Sequence, residues 1–291
     1  MSFIQYQEIN LGDRSLEVIR QANVIISEYR AAGFTLTLRQ LYYQFVARDM
    51  LPNSQQSYKR LGDIISKARL AGEVSWDAIE DRTRSLRSEP HWDTPRDLLN
   101  DARHWFQVDM WDNQFYRPEV WIEKDALIGV IEEVCRSNDV PYFACRGYSS
   151  QSEQWRAGRR FKDHLARGQT PIVLHLGDHD PSGVDMTRDN EDRLTMFAQD
   201  DIEVRRLALN FDQVRRYNPP PNPTKFTDSR AAGYTARFGH SCWELDALDP
   251  KVIAALITDA LADLRDDEAW AAKEREQAEG VQTINELIDT L

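Results

Sequence analysis

Two aspartates stand just beyond a strongly apolar segment near the middle of the chain. The segment ends at Leu176, and Asp178 and Asp180 follow it. Because side chains alternate along an extended chain, both carboxylates point to the same side. A second apolar run ends at Glu123, so two strand ends would bring three carboxylates to one crevice. Crowded carboxylates repel each other unless a cation neutralises them, and Mg²⁺ is the ion that such oxygen ligands usually hold. This pattern predicts a magnesium site and chemistry on phosphate.

The same aspartates also suit a purely structural role. Asp-Pro-Ser-Gly at 180–183 is a favourable turn sequence, and strand ends are rich in turn-forming aspartates. The position of Glu123 at an equivalent strand end favours the functional interpretation. His179 points the other way by alternation and is expected to be structural. The sequence contains neither a P-loop nor a dinucleotide-binding fingerprint, which indicates that the phosphate belongs to a polynucleotide.

A second candidate lies on a predicted helix near the N-terminus. Apolar residues recur at helical spacing from Leu38 to Phe45, which places Tyr42 on the buried face. Tyr43 lies four residues after Arg39, so its phenol and the guanidinium are side by side on a flank of the helix. Arg39 would hold a phosphate and favour the phenolate form of Tyr43, since the ordinary pKa of tyrosine is about 10 and an un-ionised phenol is a poor nucleophile. The alternative is an Arg–Tyr pair stacked on a helix surface without a catalytic role.

Charge is distributed unevenly along the 291 residues. The net charge is -12, but residues 244–291 alone hold thirteen acids and four bases. Between Arg39 and Arg69 the balance is basic, and a local basic patch can bind phosphates even in an acidic protein. The third predicted helix would contact DNA through three of these basic residues, Lys59, Arg60 and Lys67.

The composition also narrows the class of protein. The three cysteines are far apart in the sequence, which excludes a cysteine-based zinc site and is typical of a reducing compartment. The sequence has no apolar run of membrane-spanning length and no signal-peptide pattern at its start, which favours a cytoplasmic protein without a membrane partner. Its length is typical of about two domains.

The pattern of apolar residues divides the chain into three parts. Residues 1–117 are expected to be helical, with an alternating stretch at 74–79 that suits the wing of a winged helix, and a plain three-helix bundle is the alternative. Residues 118–217 alternate between strand and helix patterns, which predicts an α/β domain with a mainly parallel sheet and ligands at the carboxyl ends of its strands. Residues 218–291 begin with a proline-rich linker and continue as two acidic amphipathic helices. The predicted helices cover 15–30, 37–49, 54–71, 126–137, 151–166, 184–198, 250–264 and 268–287, and the predicted strands cover 119–122, 140–145, 171–176 and 203–209.

Several of these segments resemble one family when they are taken in order. The run Thr-Leu-Arg-Gln-Leu-Tyr-Tyr at 37–43 resembles the motif that carries the catalytic tyrosine in the A subunit of DNA topoisomerase VI. The related transesterase that makes meiotic double-strand breaks shares this motif. Glu123 and the Asp-x-Asp-Pro-x-Gly run at 178–183 resemble the metal motifs of the family's Toprim domain.

The resemblance extends beyond these motifs and also has departures. The Arg-Gly-Tyr run at 146–148 resembles the glycine-centred loop between the metal motifs, and residues 243–248 resemble a segment that follows them. In total the resemblance covers about residues 35–250, and the chain looks most like the stand-alone "mini-A" relatives of phages and mobile elements. Gln40 stands where the family usually has an acidic residue, and the charged pair at 124–125 stands where small or neutral residues are commoner.

The resemblance implies a winged-helix (CAP-like) domain followed by a Toprim domain. It implies that Tyr43, next to Arg39, attacks a backbone phosphorus of double-stranded DNA and forms a 5′-phosphotyrosyl link. Arg146 would contact the DNA. A bound Mg²⁺ would stabilise the developing charge and the leaving 3′ oxygen, and its ligands would be the three carboxylates, Glu123, Asp178 and Asp180.

The resemblance also bears on partners. It implies a homodimer in which the tyrosine of one chain faces the metal site of the other, and a possible separate ATPase subunit. Two other interpretations stay open. In the first, the chain is a Toprim-type nuclease in which metal-activated water attacks and Tyr43 is structural. In the second, it is a DNA-binding protein without catalytic activity.

Overall fold

The computed structural model describes residues 3–79, 89–224 and 230–290. Three helices form the N-terminal part: α1 (Asp13–Ala31), α2 (Leu38–Ala47) and α3 (Gln55–Leu70). Their apolar faces enclose a core that includes Ile25, Leu41 and Leu61. The three predicted helices are therefore confirmed, with ends that differ by at most two residues.

The segment expected to form a wing has a different local structure in the described residues. Trp76–Ala78 is a single turn of 3-10 helix, and Ile79 makes an isolated parallel bridge with Leu36. The wing predicted at 74–79 lies wholly within the described residues, and those six residues form a helical turn and one isolated bridge instead of a strand. The structure therefore establishes a helical N-terminal part and no finer assignment.

A parallel sheet forms the centre of the chain. Its strand order is β2-β1-β3-β4, and all three strand pairs are parallel. Ile122 at the end of β1 is in register with Ala144 of β2 and Leu176 of β3, so the carboxyl ends of these strands form one edge. The predicted strand and helix alternation is confirmed. The elements are α4 (Pro95–Trp105), β1 (Tyr116–Ile122), α5 (Ile128–Ser137), β2 (Tyr142–Ala144), α6 (Gln151–Ala166), β3 (Thr170–Leu176), α7 (Pro181–Ala198) and β4 (Glu203–Ala208).

Both faces of the sheet are covered, as expected for parallel strands. One face packs residues such as Ile122 and Leu174 against α5 and α10, and the other packs Trp121 and Val173 against α6 and α7. The strands are thus supported by packed side chains on both faces, and ligands of such sheets bind at the carboxyl ends of the strands.

The C-terminal part is integrated with the sheet. It comprises α8 (Phe211–Tyr217), β5 (Asn222–Pro223), α9 (Ala231–Phe238), β6 (Ser241–Cys242), α10 (Pro250–Leu264) and α11 (Asp267–Asp289). The two predicted C-terminal helices are confirmed as α10 and α11. The proline-rich stretch ends in β5, which pairs antiparallel with β6. Ile253, Ile257 and Leu261 of α10 belong to the sheet's own core.

The connection from β6 to α10 ties the two parts of the chain together. Its 3-10 turn, Leu245–Ala247, packs against α2, and Ala247 lies in the core of the N-terminal helices while Leu245 lies in the core of the sheet. Tyr29 of α1 also donates a hydrogen bond to Asp249 Oδ2 at 2.9 Å. Within the described ranges, every helix is too short or too polar to span a lipid bilayer.

Candidate functional site

Tyr43 lies where the N-terminal helices meet the segment after β6. It belongs to α2, whose first turn is fixed by a capping box between Thr37 and Gln40. Its side chain is buried, and its Oη donates a hydrogen bond to Glu244 Oε2 at 3.0 Å. Arg39, one turn earlier, donates from Nη2 to Tyr43 Oη at 3.2 Å and lies over the ring. The predicted Arg–Tyr pair is present, with the phenol of Tyr43 buried by the segment after β6 and the side chain of Arg39 left partly exposed.

Arg39 is held by two carboxylates from the segment 244–246. Its Nε donates to Asp246 Oδ2 at 2.6 Å, and its Nη2 forms an ion pair with Glu244 Oε2. The side chain of Asp246 is buried, whereas that of Arg39 remains 41% exposed. A phosphate arriving from solvent can therefore reach the guanidinium.

Lys124 connects the same carboxylates to the predicted metal site. Its Nζ lies 3.0 Å from Glu244 Oε2, 2.9 Å from Asp246 Oδ1 and 3.0 Å from Asp178 Oδ1. Burial alone would lower the pKa of Lys124, but these three carboxylates outweigh it and raise that pKa well above its usual range. A permanently charged ammonium group therefore neutralises part of the acidic cluster.

Glu123 and Asp178 lie side by side at the ends of β1 and β3. Glu123 Oε2 accepts the backbone N–H of Asp178 at 2.8 Å, and Asp178 Oδ1 accepts the backbone N–H of Leu245 at 2.7 Å. Burial raises the pKa of Asp178 to about 7 in spite of Lys124, and the charge of Glu123 adds to the rise. Burial also raises the pKa of Glu123, with a contribution from Asp180. The structure thus brings these carboxylates together in one crevice, where they disfavour each other's ionised forms.

Asp180 has the structural role that the turn sequence suggested. It is the N-cap of α7, and its Oδ1 accepts the backbone N–H of Gly183 at 2.6 Å and the hydroxyl of Ser182 at 2.8 Å. Gly183 is required here, because a Cβ would overlap the carbonyl oxygen of Asp178. His179 is buried among aromatic rings, as expected for a structural residue. Asp180 nevertheless lines the same cleft as Asp178, so its capping role and a ligand role are compatible.

A buried arginine supports the turn that carries the aspartates. Arg206 of β4 donates from Nη2 to the carbonyl oxygens of Gly177 and Asp178, at 3.0 and 2.6 Å, and from Nη1 to that of Gly183 at 2.8 Å. Burial lowers the pKa of Arg206 to about 10, and the charges of Glu123 and Asp178 oppose that shift. Arg206 therefore fixes the backbone of the turn and places a positive charge beneath the carboxylates.

Two clefts open on either side of this cluster, and both are lined by Asp178 and Glu244. One of about 530 Å³ is also lined by Arg39, Glu123 and Lys124. The predicted DNA contact Arg146 lies on its rim, where its Nη2 pairs with Asp125 Oδ1 at 3.0 Å while the side chain stays 73% exposed. The other, also about 530 Å³, is lined by residues of β5, β6 and the start of α7.

The predicted basic residues of α3 lie apart from these clefts. Lys59, Arg60 and Lys67 are all solvent-exposed, as a DNA-contacting face requires. Arg69, at the end of the same helix, instead donates hydrogen bonds to the backbone oxygens of Trp76 and Ile79 and is half-buried. The N-terminal end of α3 does reach the site indirectly, because Asn53 just before it contacts Asn222, which in turn contacts Glu244.

The carboxylates suit a hard cation, although they do not form a closed ligand set. Among the described residues, no group of three or more His, Cys, Asp or Glu side chains has metal-binding spacing. Glu123 and Asp178 each engage one oxygen in the hydrogen bonds given above, which leaves Oε1 and Oδ2 for a ligand within the described part of the chain. Mg²⁺ commonly takes one or two carboxylates and completes its shell with water and phosphate oxygens. The donor set therefore fits Mg²⁺ bound together with a phosphate.

Three charged residues of the site were missed from the sequence: Glu244, Asp246 and Arg206. Glu244 and Asp246 belong to the segment 243–248, for which the sequence offers only the family resemblance. Because the whole C-terminal region is acidic, two further acidic residues do not stand out in it. Arg206 sits in an ordinary strand pattern. A sequence signal existed only for Glu244 and Asp246, as an alternating acidic pair beside a tryptophan.

No family model, curated protein or solved structure matches the chain. At the carboxyl edge of the parallel sheet of this α/β protein, a buried tyrosine and a partly exposed arginine meet a cluster of carboxylates. The function is inferred from these residues and their geometry.

Proposed function

We propose that this protein is a magnesium-dependent DNA transesterase with Tyr43 as its nucleophile. In this proposal the N-terminal helices form a winged-helix (CAP-like) domain and the sheet forms a Toprim domain. The substrate is double-stranded DNA, and two chains act as a homodimer so that each cleaves one strand. A separate ATPase subunit and a cytoplasmic location belong to the same proposal.

One observation carries the proposal. Tyr43 Oη, Glu244 Oε2, Lys124 Nζ and Asp178 Oδ1 follow one another in three successive contacts of 3.0 Å. A phenol with a structural role alone needs a hydrogen-bond acceptor, but it does not need to share that acceptor with the lysine of a carboxylate crevice. Tyr42 shows the contrast, because its Oη is satisfied by the backbone of the turn before α3.

The chain's own residues have separable tasks in the reaction. Arg39 is exposed enough to bind a DNA phosphate, and binding there would bring the phosphorus next to Tyr43 Oη, 3.2 Å from the guanidinium. Arg206 and the α7 cap hold the turn that carries Asp178 and Asp180, and the backbone N–H of Asp178 holds Glu123. Mg²⁺, when held by these carboxylates, supplies positive charge next to the phosphate. The clefts on both sides of Asp178 give the DNA strand room to pass.

One observation favours the nuclease as a second candidate. Burial raises the pKa of Tyr43 above its ordinary value, and Asp246 and Glu244 add to the rise, so that together they outweigh Arg39. Arg39 does favour the phenolate, as expected, but its effect on the pKa of Tyr43 is smaller than the combined effect of burial and the two carboxylates. A protonated, buried phenol is a poor nucleophile, whereas water has open access to Asp178 from two clefts.

The two candidates leave different DNA ends. The protein should be incubated with supercoiled DNA and Mg²⁺, then treated with detergent, and half of the sample with protease. A transesterase yields nicked or linear DNA whose 5′ ends carry covalently bound protein. In a phenol extraction this DNA should remain in the aqueous phase only if the sample was treated with protease. Free 5′ ends without protein would support the nuclease, and cleavage that persists in EDTA would contradict the metal assignment.

A further inference from the structure

The geometry points to Glu244 as the group that accepts the phenolic proton when Tyr43 attacks a DNA phosphate. This inference rests on the proposed transesterase function and names a catalytic residue for it. Glu244 touches the reacting atom directly, since its Oε2 lies 3.0 Å from Tyr43 Oη.

Glu244 is the carboxylate that contacts the phenol in the described part of the chain. Asp246 is close, but its two oxygens are taken by Arg39 at 2.6 Å and Lys124 at 2.9 Å. Asp178 is one contact further away, beyond Lys124. Glu244 is also held at its other oxygen, where Asn222 donates to Oε1 at 3.3 Å. Its carboxylate is therefore fixed with one oxygen aimed at Tyr43.

The charges around Glu244 explain why the resting site does not ionise the phenol. Arg39 from α2 and Lys124 from the end of β1 both face Oε2. Burial alone would raise the pKa of Glu244, but Lys124 and Arg39 lower it to about 2. A carboxylate held by two cations is a weak base. When a DNA phosphate binds Arg39 it removes one of these cations from Glu244, which increases the proton affinity of the carboxylate at the moment when the phosphorus is in place.

The step balances without any further reactant. The proton of Tyr43 Oη moves to Glu244 Oε2, and the phenolic oxygen forms a bond to the DNA phosphorus. The bond from that phosphorus to the 3′ oxygen breaks, and the 3′ oxygen takes a proton from a water molecule. Glu244 then gives its proton to the hydroxide left behind, so that the net transfer is from the phenol to the 3′ oxygen. One phosphodiester is exchanged for another with no oxidation or reduction. In the reverse direction, water takes the proton of the attacking 3′ hydroxyl, and Glu244 passes a proton from water to the phenol.

The test separates activation of the nucleophile from stabilisation of the leaving group. A duplex with a cleavage site mapped for the wild type is made with sulfur in place of the bridging 3′ oxygen at that site. Sulfur leaves easily as a thiolate, so it compensates for defects in leaving-group stabilisation and not for defects in nucleophile activation. On ordinary DNA, Glu244→Gln should lose a factor of about 100 or more in the rate of covalent adduct formation, the range usual for general-base catalysis. The sulfur duplex should leave that defect in place, whereas it should restore much of the activity of Asp178→Asn.

Asp249→Asn is the matched control. Asp249 accepts a hydrogen bond from Tyr29 at 2.9 Å and so makes a Tyr–carboxylate pair between the same two parts of the chain. It also caps α10, a role that asparagine retains. We expect this variant to form adduct at the wild-type rate. DNA affinity and melting temperature are measured for each protein. If Glu244→Gln fails to fold, Glu244→Asp replaces it, since this variant keeps the charge and shortens the side chain. Glu244→Asp should lose part of the rate of adduct formation, and the sulfur duplex should not restore it.

Two results would overturn the inference alone. One is full adduct formation by Glu244→Gln while Tyr43→Phe forms none. The other is recovery of Glu244→Gln on the sulfur duplex, which would assign Glu244 to the leaving group. Absence of any adduct from the wild-type protein would overturn the proposed function together with the inference.

Discussion

Asp178→Asn should make the metal-free protein more stable at neutral pH while it abolishes DNA cleavage. Asp178 is a buried carboxylate, and burial is the main reason why its pKa is raised to about 7. The amide keeps the shape of the side chain and can still accept the backbone N–H of Leu245. It removes a charge that the fold holds at a cost when no metal is bound.

The size of the gain follows from the two pKa values of Asp178. The folded value is about 7 and the ordinary value is 3.8. Because the folded protein binds this proton more tightly than the unfolded chain, the wild type loses stability as pH rises from about 4 to 7, and the loss is complete above that window. The full difference corresponds to at most about 4 kcal/mol. Because Lys124 already lowers that pKa, the lost ion pair is contained in the difference, and we expect a gain on the order of 2 to 4 kcal/mol.

The assay is urea unfolding in EDTA at pH 8 and again near pH 4. The free energy of unfolding of Asp178→Asn should exceed that of the wild type at pH 8, and the difference should shrink toward zero at the lower pH. Asp180→Asn is the control, because it makes the same change in net charge two residues after Asp178. Asp180 is the N-cap of α7, and asparagine caps a helix as well as aspartate does, so the stability of this variant should stay within about 0.5 kcal/mol of wild type. A variant that is less stable than wild type at pH 8, or a gain that does not depend on pH, would refute the reasoning.

Three further outcomes are expected. Tyr43→Phe should eliminate the protein–DNA adduct, and an adduct from this variant would contradict the assignment. Tyr42→Phe should keep the adduct and lose about 1 to 2 kcal/mol of stability, since its hydroxyl accepts the backbone N–H of Ser54 and donates to the turn before α3; gel assays and urea unfolding check both variants. Replacing Lys59, Arg60 and Lys67 by glutamine should reduce the slope of log affinity against log salt by about two to three, as measured by fluorescence titration. The same replacement at the exposed residues Arg20, Arg136 and Arg275 should leave the slope unchanged. Equal slopes for the two triple variants would mean that DNA does not bind along α3. Tyr43 and Asp178 are linked through Glu244 and Lys124 of one chain. Mixing Tyr43→Phe with Glu123→Ala after subunit exchange should therefore not restore nicking. Restored nicking would show that the site is shared between two chains, as the resemblance implies.

The sheet and its carboxylates could be predicted because they depend on local pattern. Alternation and apolar runs define β1 and β3, and once two strands are parallel neighbours, Glu123 and Asp178 must meet at their carboxyl ends. The burial of Tyr42 follows in the same way from helical spacing. Each of these conclusions needs only a few consecutive residues and one general rule of packing.

The ion network around Tyr43 could not be predicted, because it depends on contacts between distant segments. Glu244 lies about two hundred positions after Tyr43 in sequence, and the two meet because Leu245 and Ala247 pack into two different cores. Helical spacing correctly places Tyr43 beside Arg39. It gives no information on the segment 244–246, which packs over them. For the same reason the sequence does not predict that Lys124 points into the carboxylates, or that burial together with Asp246 and Glu244 raises the pKa of Tyr43.

Covalent attachment of Tyr43 to the 5′ end of cleaved DNA can be observed directly. The adduct formed in Mg²⁺ should be trapped with detergent, digested with nuclease and trypsin, and sequenced by tandem mass spectrometry. Trypsin should release residues 40–48, a peptide that contains both Tyr42 and Tyr43, so fragmentation between the two is needed. If Tyr43 is the nucleophile, the fragment ions that contain Tyr43 should carry a nucleotide, and those that end at Tyr42 should carry none. A nucleotide on Tyr42, on another residue, or on no peptide although the DNA is cut would contradict this assignment.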